Sequence, residues 1–309
     1  MRRLLTSATL AALVVGTLAT PALAGELDDL LERSGEAAYT AEQTISCSTP
    51  DGARDAVVQI VQTGPQLRVT STADEGSEIL SGAGDWSLRR GEGVVSSASV
   101  ESAGNTAAPV HEVERVGPIV FLDRAAMRYR LNRDGVERAE LIFDLDTGAL
   151  VASTTFNADG STYCRRRFVS FEPGVPELTT AEQAAPAGVE PVDTDLGMPE
   201  VVAGFQRLDQ YRDEEGVRFS YFSDGFFSFA VFEARSEVVL PGGAPVRIGD
   251  AVYSRVSSPG QVTYVWQTGS GVMALVGDMP VDLQEAILAE LPPPSDPGFF
   301  REVWRTLFG

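Results

Sequence analysis

The sequence predicts an α+β protein built on antiparallel sheet, with two separate cores behind an export signal. Three observations lead there. Short β-favouring runs separated by Gly, Pro and Asp-Gly recur along most of the chain, the pattern of a meander. A stretch rich in proline and alanine interrupts them at 173–197. Helical spacing of apolar residues is confined to a short segment near the start of the mature chain, a segment at 281–291 and the tail.

Residues 1–24 carry Arg2 and Arg3, an apolar core from Leu10 to Leu18, and Ala22-Leu23-Ala24, the small-x-small pattern that signal peptidase accepts. Cleavage before Gly25 is expected. An uncleaved anchor is the alternative, and against it stands an apolar run short of the ~20 residues that cross a bilayer. The rest of the chain has no comparable apolar run, and no cysteine lies near the cut to take a lipid. The expected location is therefore periplasmic or otherwise extracytoplasmic, and soluble. About 285 residues remain, room for two domains of ~100–200 residues each. The domains read as 25–172 and 198–291, joined by the linker at 173–197 and followed by a proline-led tail at 292–309. Loss of the two leader arginines takes the formal net charge from −20 to −22, which repels nucleic acid as a partner.

Leu27, Leu30, Leu31 and Ser34 recur at helical spacing before Gly35. Strands are then expected at Thr40 to Cys47, Ala56 to Gln62, Gln66 to Ser71, Glu78 to Leu80 and Asp85 to Arg89. Ser96 to Pro109, small and polar, reads as a long exposed loop. Strands resume at Met127 to Asn132, Arg138 to Asp144, Ala149 to Phe156 and Ser161 to Phe171, and a curved antiparallel sheet is the economical solution. The linker, with Pro173, Pro176, Pro186 and Pro191, resists both helix and sheet. In the second domain, strands are expected at Gln206 to Tyr211, Val217 to Phe232, Ala251 to Val256, Gln261 to Gln267 and Gly271 to Gly277. Within Val217 to Phe232, Asp224-Gly225 reads as a two-residue hairpin loop that sets Phe222 opposite Phe227 and Phe219 opposite Ala230. Val281 to Leu291 closes the domain as a helix with Leu283, Ile287, Leu288 and Leu291 on one face. In the tail, Phe299, Phe300, Val303, Trp304, Leu307 and Phe308 share one face opposite Arg301, Glu302 and Arg305. That face docks on the protein itself, on a partner or on a membrane surface.

The two cysteines of an exported chain, Cys47 and Cys164, suggest one disulfide between the first and last strands of the first domain. Closure of so long a loop contributes on the order of 4 kcal/mol less any strain. Two buried thiols are the alternative, and without a C-x-x-C spacing a redox pair is not indicated.

Catalytic chemistry has little to work with. His111 is the one histidine; it lacks an H-E-x-x-H context and reads as a loop or surface residue. No G-x-S-x-G, phosphate-binding loop or dinucleotide fingerprint is present, so no cofactor is expected. Carboxylates are abundant, yet nothing singles out a catalytic pair. The candidate contact residues are Arg165 and Arg167, with Arg166 between them pointing the other way, together with Phe219, Tyr221, Phe227, Phe229, Phe300 and Trp304. The aromatics of the second domain serve equally as core.

The run Pro199 to Phe205 with Gly204-Phe205, then Tyr221-Phe222-Ser223-Asp224-Gly225, Ala230-Val231-Phe232 and Val276 to Pro280 ahead of a helix, resembles the C-terminal domain of MucB/RseB proteins. Asp144 to Leu150, Asn157-Ala158-Asp159-Gly160 and Phe168 to Phe171 are similar to the hairpins that close LolA/LolB-like half-barrels. The resemblance implies a curved half-barrel joined to a smaller α+β domain, with the first helix plugging the mouth of the curved sheet. It also implies a non-enzymatic regulator of the envelope-stress sigma-E pathway, which holds the extracytoplasmic segment of an anti-sigma factor and is released by a lipid-like signal. A LolA/LolB-type carrier of lipid or lipoprotein, and a structural envelope module, are the other readings.

Overall fold

The computed structural model describes residues 26–71, 77–81, 85–90, 93–99, 110–174, 189–191, 197–213, 216–234, 243–258, 261–269 and 271–295. The leader, most of the linker and the tail, with Phe300 and Trp304, lie outside them.

The first sheet follows the helix α1 (Glu26–Glu36). It contains β1 (Ala38–Thr49), β2 (Gly52–Thr63), β3 (Gln66–Ser71), β4 (Ser77–Ser81), β5 (Asp85–Arg90), β6 (Gly93–Ser99), β7 (Glu112–Phe121), β8 (Arg124–Arg133), β9 (Val136–Asp144), β10 (Leu150–Phe156) and β11 (Thr162–Pro173). Its strand order, β6-β5-β4-β3-β2-β1-β11-β10-β9-β8-β7, is that of two meanders joined where β1 pairs with β11. The sheet is open, with β6 and β7 at its edges. It curls strongly: Arg167 of β11 places its guanidinium 4.8 Å from the ring centre of Phe121 in β7, although four flat strand spacings would separate them by about 19 Å. The disulfide forms between Cys47 and Cys164, which face each other in the β1–β11 register. α1 lays Leu30 and Leu31 against Met127, Tyr129, Leu131, Leu141 and Phe143 of β8 and β9, in line with the plug the resemblance implies.

Two expectations need correction. Ser96 to Ser99 belong to β6, paired with β5, and not to a loop; residues 100–109 are not described. β7 was not expected at all, because Glu, Arg, Gly and Pro dilute its β character. A sheet edge tolerates them: the register slips between Arg115 and Gly117, and Pro118 follows.

The second sheet is formed by β12 (Val189–Pro191), β13 (Val201–Val202), β14 (Phe205–Asp213), β15 (Arg218–Ser223), β16 (Ser228–Ala234), β17 (Ala244–Ile248), β18 (Ala251–Ser258), β19 (Gln261–Thr268) and β20 (Gly271–Gly277). The order is β12-β14-β15-β16-β20-β19-β18-β17, with β13 also on β14. β12 corrects the reading of the linker as free of structure: an edge strand can end on Pro191 without losing an interior ladder bond. The helix α2 (Val281–Glu290) covers one face through Leu283, Ile287 and Leu288, against Phe222, Phe229, Val231, Tyr264, Trp266 and Leu275.

The β15–β16 hairpin forms where expected, but its loop has four residues, Asp224 to Phe227. Phe222 therefore pairs with Phe229 and Phe219 with Phe232. The Asp224 carboxylate accepts from the amides of Phe226 (3.1 Å) and Phe227 (2.8 Å), and Ser223 Oγ accepts from Gly225, which stabilises the wider loop. A two-residue shift keeps every side chain on its expected face.

Candidate functional site at the junction of the two sheets

The sheets meet through four Arg–Asp pairs among the described residues. Arg133, at the end of β8, donates to Asp224 Oδ2 (2.8 Å) and to the Ala203 carbonyl (2.6 Å), with its guanidinium 5.1 Å from the centre of the Phe205 ring. The Ala203-Gly204 turn has φ values of 50° and 80°, the left-handed pair of a two-residue hairpin. A Cβ at Gly204 would stand 2.5 Å from Arg133 Nη2, so a larger residue there has to adopt the left-handed conformation and also displace the guanidinium from Asp224 and Ala203. The other pairs are Arg138–Asp282 (2.7 Å), Arg166–Asp278, and Arg255–Asp51 (2.6 Å).

Asp224 is fully buried, and Arg133 is 10% exposed at its side chain. His111 is buried too, with Nε2 3.1 Å from Asp224 Oδ2 and its ring beside Phe226 and Phe227. His111 precedes β7 outside any strand, as a loop residue, and its burial corrects the surface alternative. A lone histidine carries no periodic pattern, so its neighbours were set by a contact with residues more than a hundred positions away. Phe226 leaves the hairpin loop and packs against the cluster formed by α1, β8 and β9. From the other side, Asn157 Oδ1 accepts from the Val281 amide (3.2 Å), supplying the N-terminus of α2 with an acceptor that Pro280 lacks.

Hydrogen bonds from Arg255 hold the Asp51 carboxyl below its usual range, with Ser257 adding to the effect. Burial pushes the Asp278 carboxyl up, and Arg166 opposes that shift without reversing it. The junction therefore contains one carboxylate favoured by its partners and one that is costly to ionise.

The expected contact residues fall into different environments. Arg165 and Arg167 are exposed on β11, while Arg166 points the other way and reaches Asp278. Phe227 and Phe229, at 3% and 1% exposure, belong to the core under α2. Phe219 and Tyr221 are half-buried on the opposite face; burial pushes the Tyr221 hydroxyl up to about 12. The sequence reading missed the Arg–Asp pairs. Their one legible signal is that Asp51, Asp224 and Asp278 each flank a glycine, and of these Asp224-Gly225 reads as the turn chemistry of a hairpin.

The assembly is an open curled sheet, a second sheet backed by one helix, and a polar junction between them. No family model matches the chain, and no curated protein matches it in sequence. Solved structures do match. The Pseudomonas aeruginosa MucA/MucB complex is similar at 16% identity and a TM-score of 0.53, covering 88% of this chain and all of that one. A crystal structure of MucB is similar at 17% identity and a TM-score of 0.54, covering 87% and 98% respectively. The fold is that of MucB, in agreement with the resemblance read from the motifs.

Asp224→Ala leaves Arg133 buried without its carboxylate and the loop amides without their acceptor, so a loss of about 3–5 kcal/mol is expected in urea unfolding; a change within error would contradict the role given to this pair. The Asp51 pair contributes its stability above the ordinary aspartate value of 3.8 and loses it as pH falls through the lowered value. Thermal unfolding compared between the native chain and Asp51→Asn should show a difference at neutral pH that shrinks below that value; a constant difference would contradict it.

Proposed function

We propose that this protein is an exported, non-enzymatic regulator that holds the extracytoplasmic segment of a membrane-bound anti-sigma factor and shields it from the protease that starts an envelope-stress response. The observation that carries this reading is the match, over nearly the whole of both chains, to MucB in a complex with MucA. The residues behind the sequence resemblance add to it, because Gly204, Phe205, Asp224 and Asp278 all lie at the junction. The sheet edges β7 and β17 suit an extended partner segment, which binds by adding main-chain hydrogen bonds.

Export rests on the leader at 1–24, and the domain limits on the composition of the chain. Among the described residues, no helix is long and apolar enough to cross a membrane. The apolar face of β8 and β9 that a carrier would offer to its cargo is packed by Leu30, Leu31 and Phe226. A lipid signal would act by displacing those side chains, which links cargo entry to the junction and favours a regulator over a carrier.

The test is recovery of the mature chain, residues 25–309, from envelope membranes of the producing cell, with bound proteins and lipids identified by mass spectrometry. A single-span membrane protein with a cytoplasmic sigma-factor-binding domain is expected, its exported segment protected from proteolysis in the complex. Recovery of lipoprotein or lipid alone would overturn the regulator in favour of the carrier.

A further inference from the structure

The face of the second sheet opposite α2 is a continuous apolar surface. The register aligns Tyr211, Phe219, Phe232, Ala274 and Val265 in one row across β14, β15, β16, β20 and β19. Tyr211 stacks on Phe219 at 4.8 Å, and Phe219 lies 5.5 Å from Phe232. Ala230 and Val276 flank the row on one side and Val272 on the other. None of these residues belongs to the core beneath α2, and α1 packs on the first sheet, so neither described helix lies on this face. Tyr211 and Val265 are nonetheless only 1% and 5% exposed.

The path of the chain after α2 points to the occupant. Leu291 is in the core on the α2 side, and Pro292 accepts a hydrogen bond from Trp266 Nε1 (2.8 Å). Ser295 then donates its amide to the Gln267 carbonyl (3.1 Å). Paired residues of β18 and β19 begin only at Ser254 and Val265, so Ser295 sits in the gap left where the two strands part. The chain has thus moved from the α2 side into the plane of the sheet, beside the end of the aromatic row. Fourteen residues follow, 296–309, and they include the six apolar side chains Phe299, Phe300, Val303, Trp304, Leu307 and Phe308 at helical spacing. Ten residues of helix measure about 15 Å, close to the roughly 19 Å spanned by five strands.

We propose that the tail, residues 299–308, docks as an amphipathic helix across this outer face, with its aromatic side on Phe219, Phe232 and Val265 and with Arg301, Glu302 and Arg305 in water. The second sheet is then covered on both faces, by α2 on one and by the chain's own tail on the other. The proposal stands apart from the regulatory reading, since it concerns contacts within one chain.

Ala274→Cys with Val303→Cys in the full chain tests it, because the native cysteines are already paired and buried. Under mild oxidation, intramolecular cross-link is expected on the order of tenfold in excess over a control pairing Val303→Cys with Val120→Cys on the first sheet. Equal or greater reaction at the control position, or cross-linked dimers in place of the intramolecular bond, would overturn it in favour of another site or a second copy. As an independent readout, Trp304→Glu in the otherwise native chain should uncover the aromatic row and raise the fluorescence of a hydrophobic dye several-fold; unchanged dye binding would overturn the proposal as well.

Discussion

The Arg133–Asp224 pair is the interaction on which the arrangement of the two sheets depends. One carboxylate serves three purposes there. It neutralises an arginine from the first sheet, accepts two amides that set the four-residue loop of the second, and lies against the buried His111. Because Asp224 is fully buried, its charge is tolerable only while Arg133 is in place. The loop it organises delivers Phe226 to the core beneath α1. The conformation of a hairpin in one sheet and the packing of a helix on the other are thereby joined through a single side chain.

The remaining contacts also pair an Arg of one unit with an Asp of the other, the Asp lying in the β1–β2 turn (Asp51), just after β20 (Asp278) or in the first turn of α2 (Asp282). A strongly acidic chain can dock two sheets this way at little long-range cost, since each pair is locally neutral. Arginine suits the role because its planar fork serves carboxylate, carbonyl and aromatic ring together, as Arg133 does with Asp224, Ala203 and Phe205. The disulfide lies near one end of this junction: Cys47 precedes the turn that holds Asp51, and Cys164 is two residues from Arg166.

Much of the fold was legible in the sequence because its strands carry strong local signals. Gln66–Ser71 has the expected bounds, α2 buries Leu283, Ile287 and Leu288 on its expected face with Leu291 buried just beyond its end, and the disulfide joins the expected strands. The misses share a cause. β7 and β12 are edge strands with proline, held by a neighbour and not by their own propensity, so nothing local announces them. The loop of the β15–β16 hairpin was read two residues short because the Asp-Gly signal was taken alone, while the Asp224 carboxylate was committed elsewhere. The junction was the least legible part. Arg133 and Asp224 are 91 residues apart, and a pair of that kind has no period or spacing to betray it.

The central claim is that the junction makes the two sheets one cooperative body. Native-state hydrogen exchange resolved along the chain tests it most directly. The account predicts that the amides of β8 and β9 and those of β15 and β16 exchange through an opening of the same free energy in the native chain, and that Arg133→Met separates the two groups. Two independent sets of opening energies in the native chain, unchanged by Arg133→Met, would contradict it.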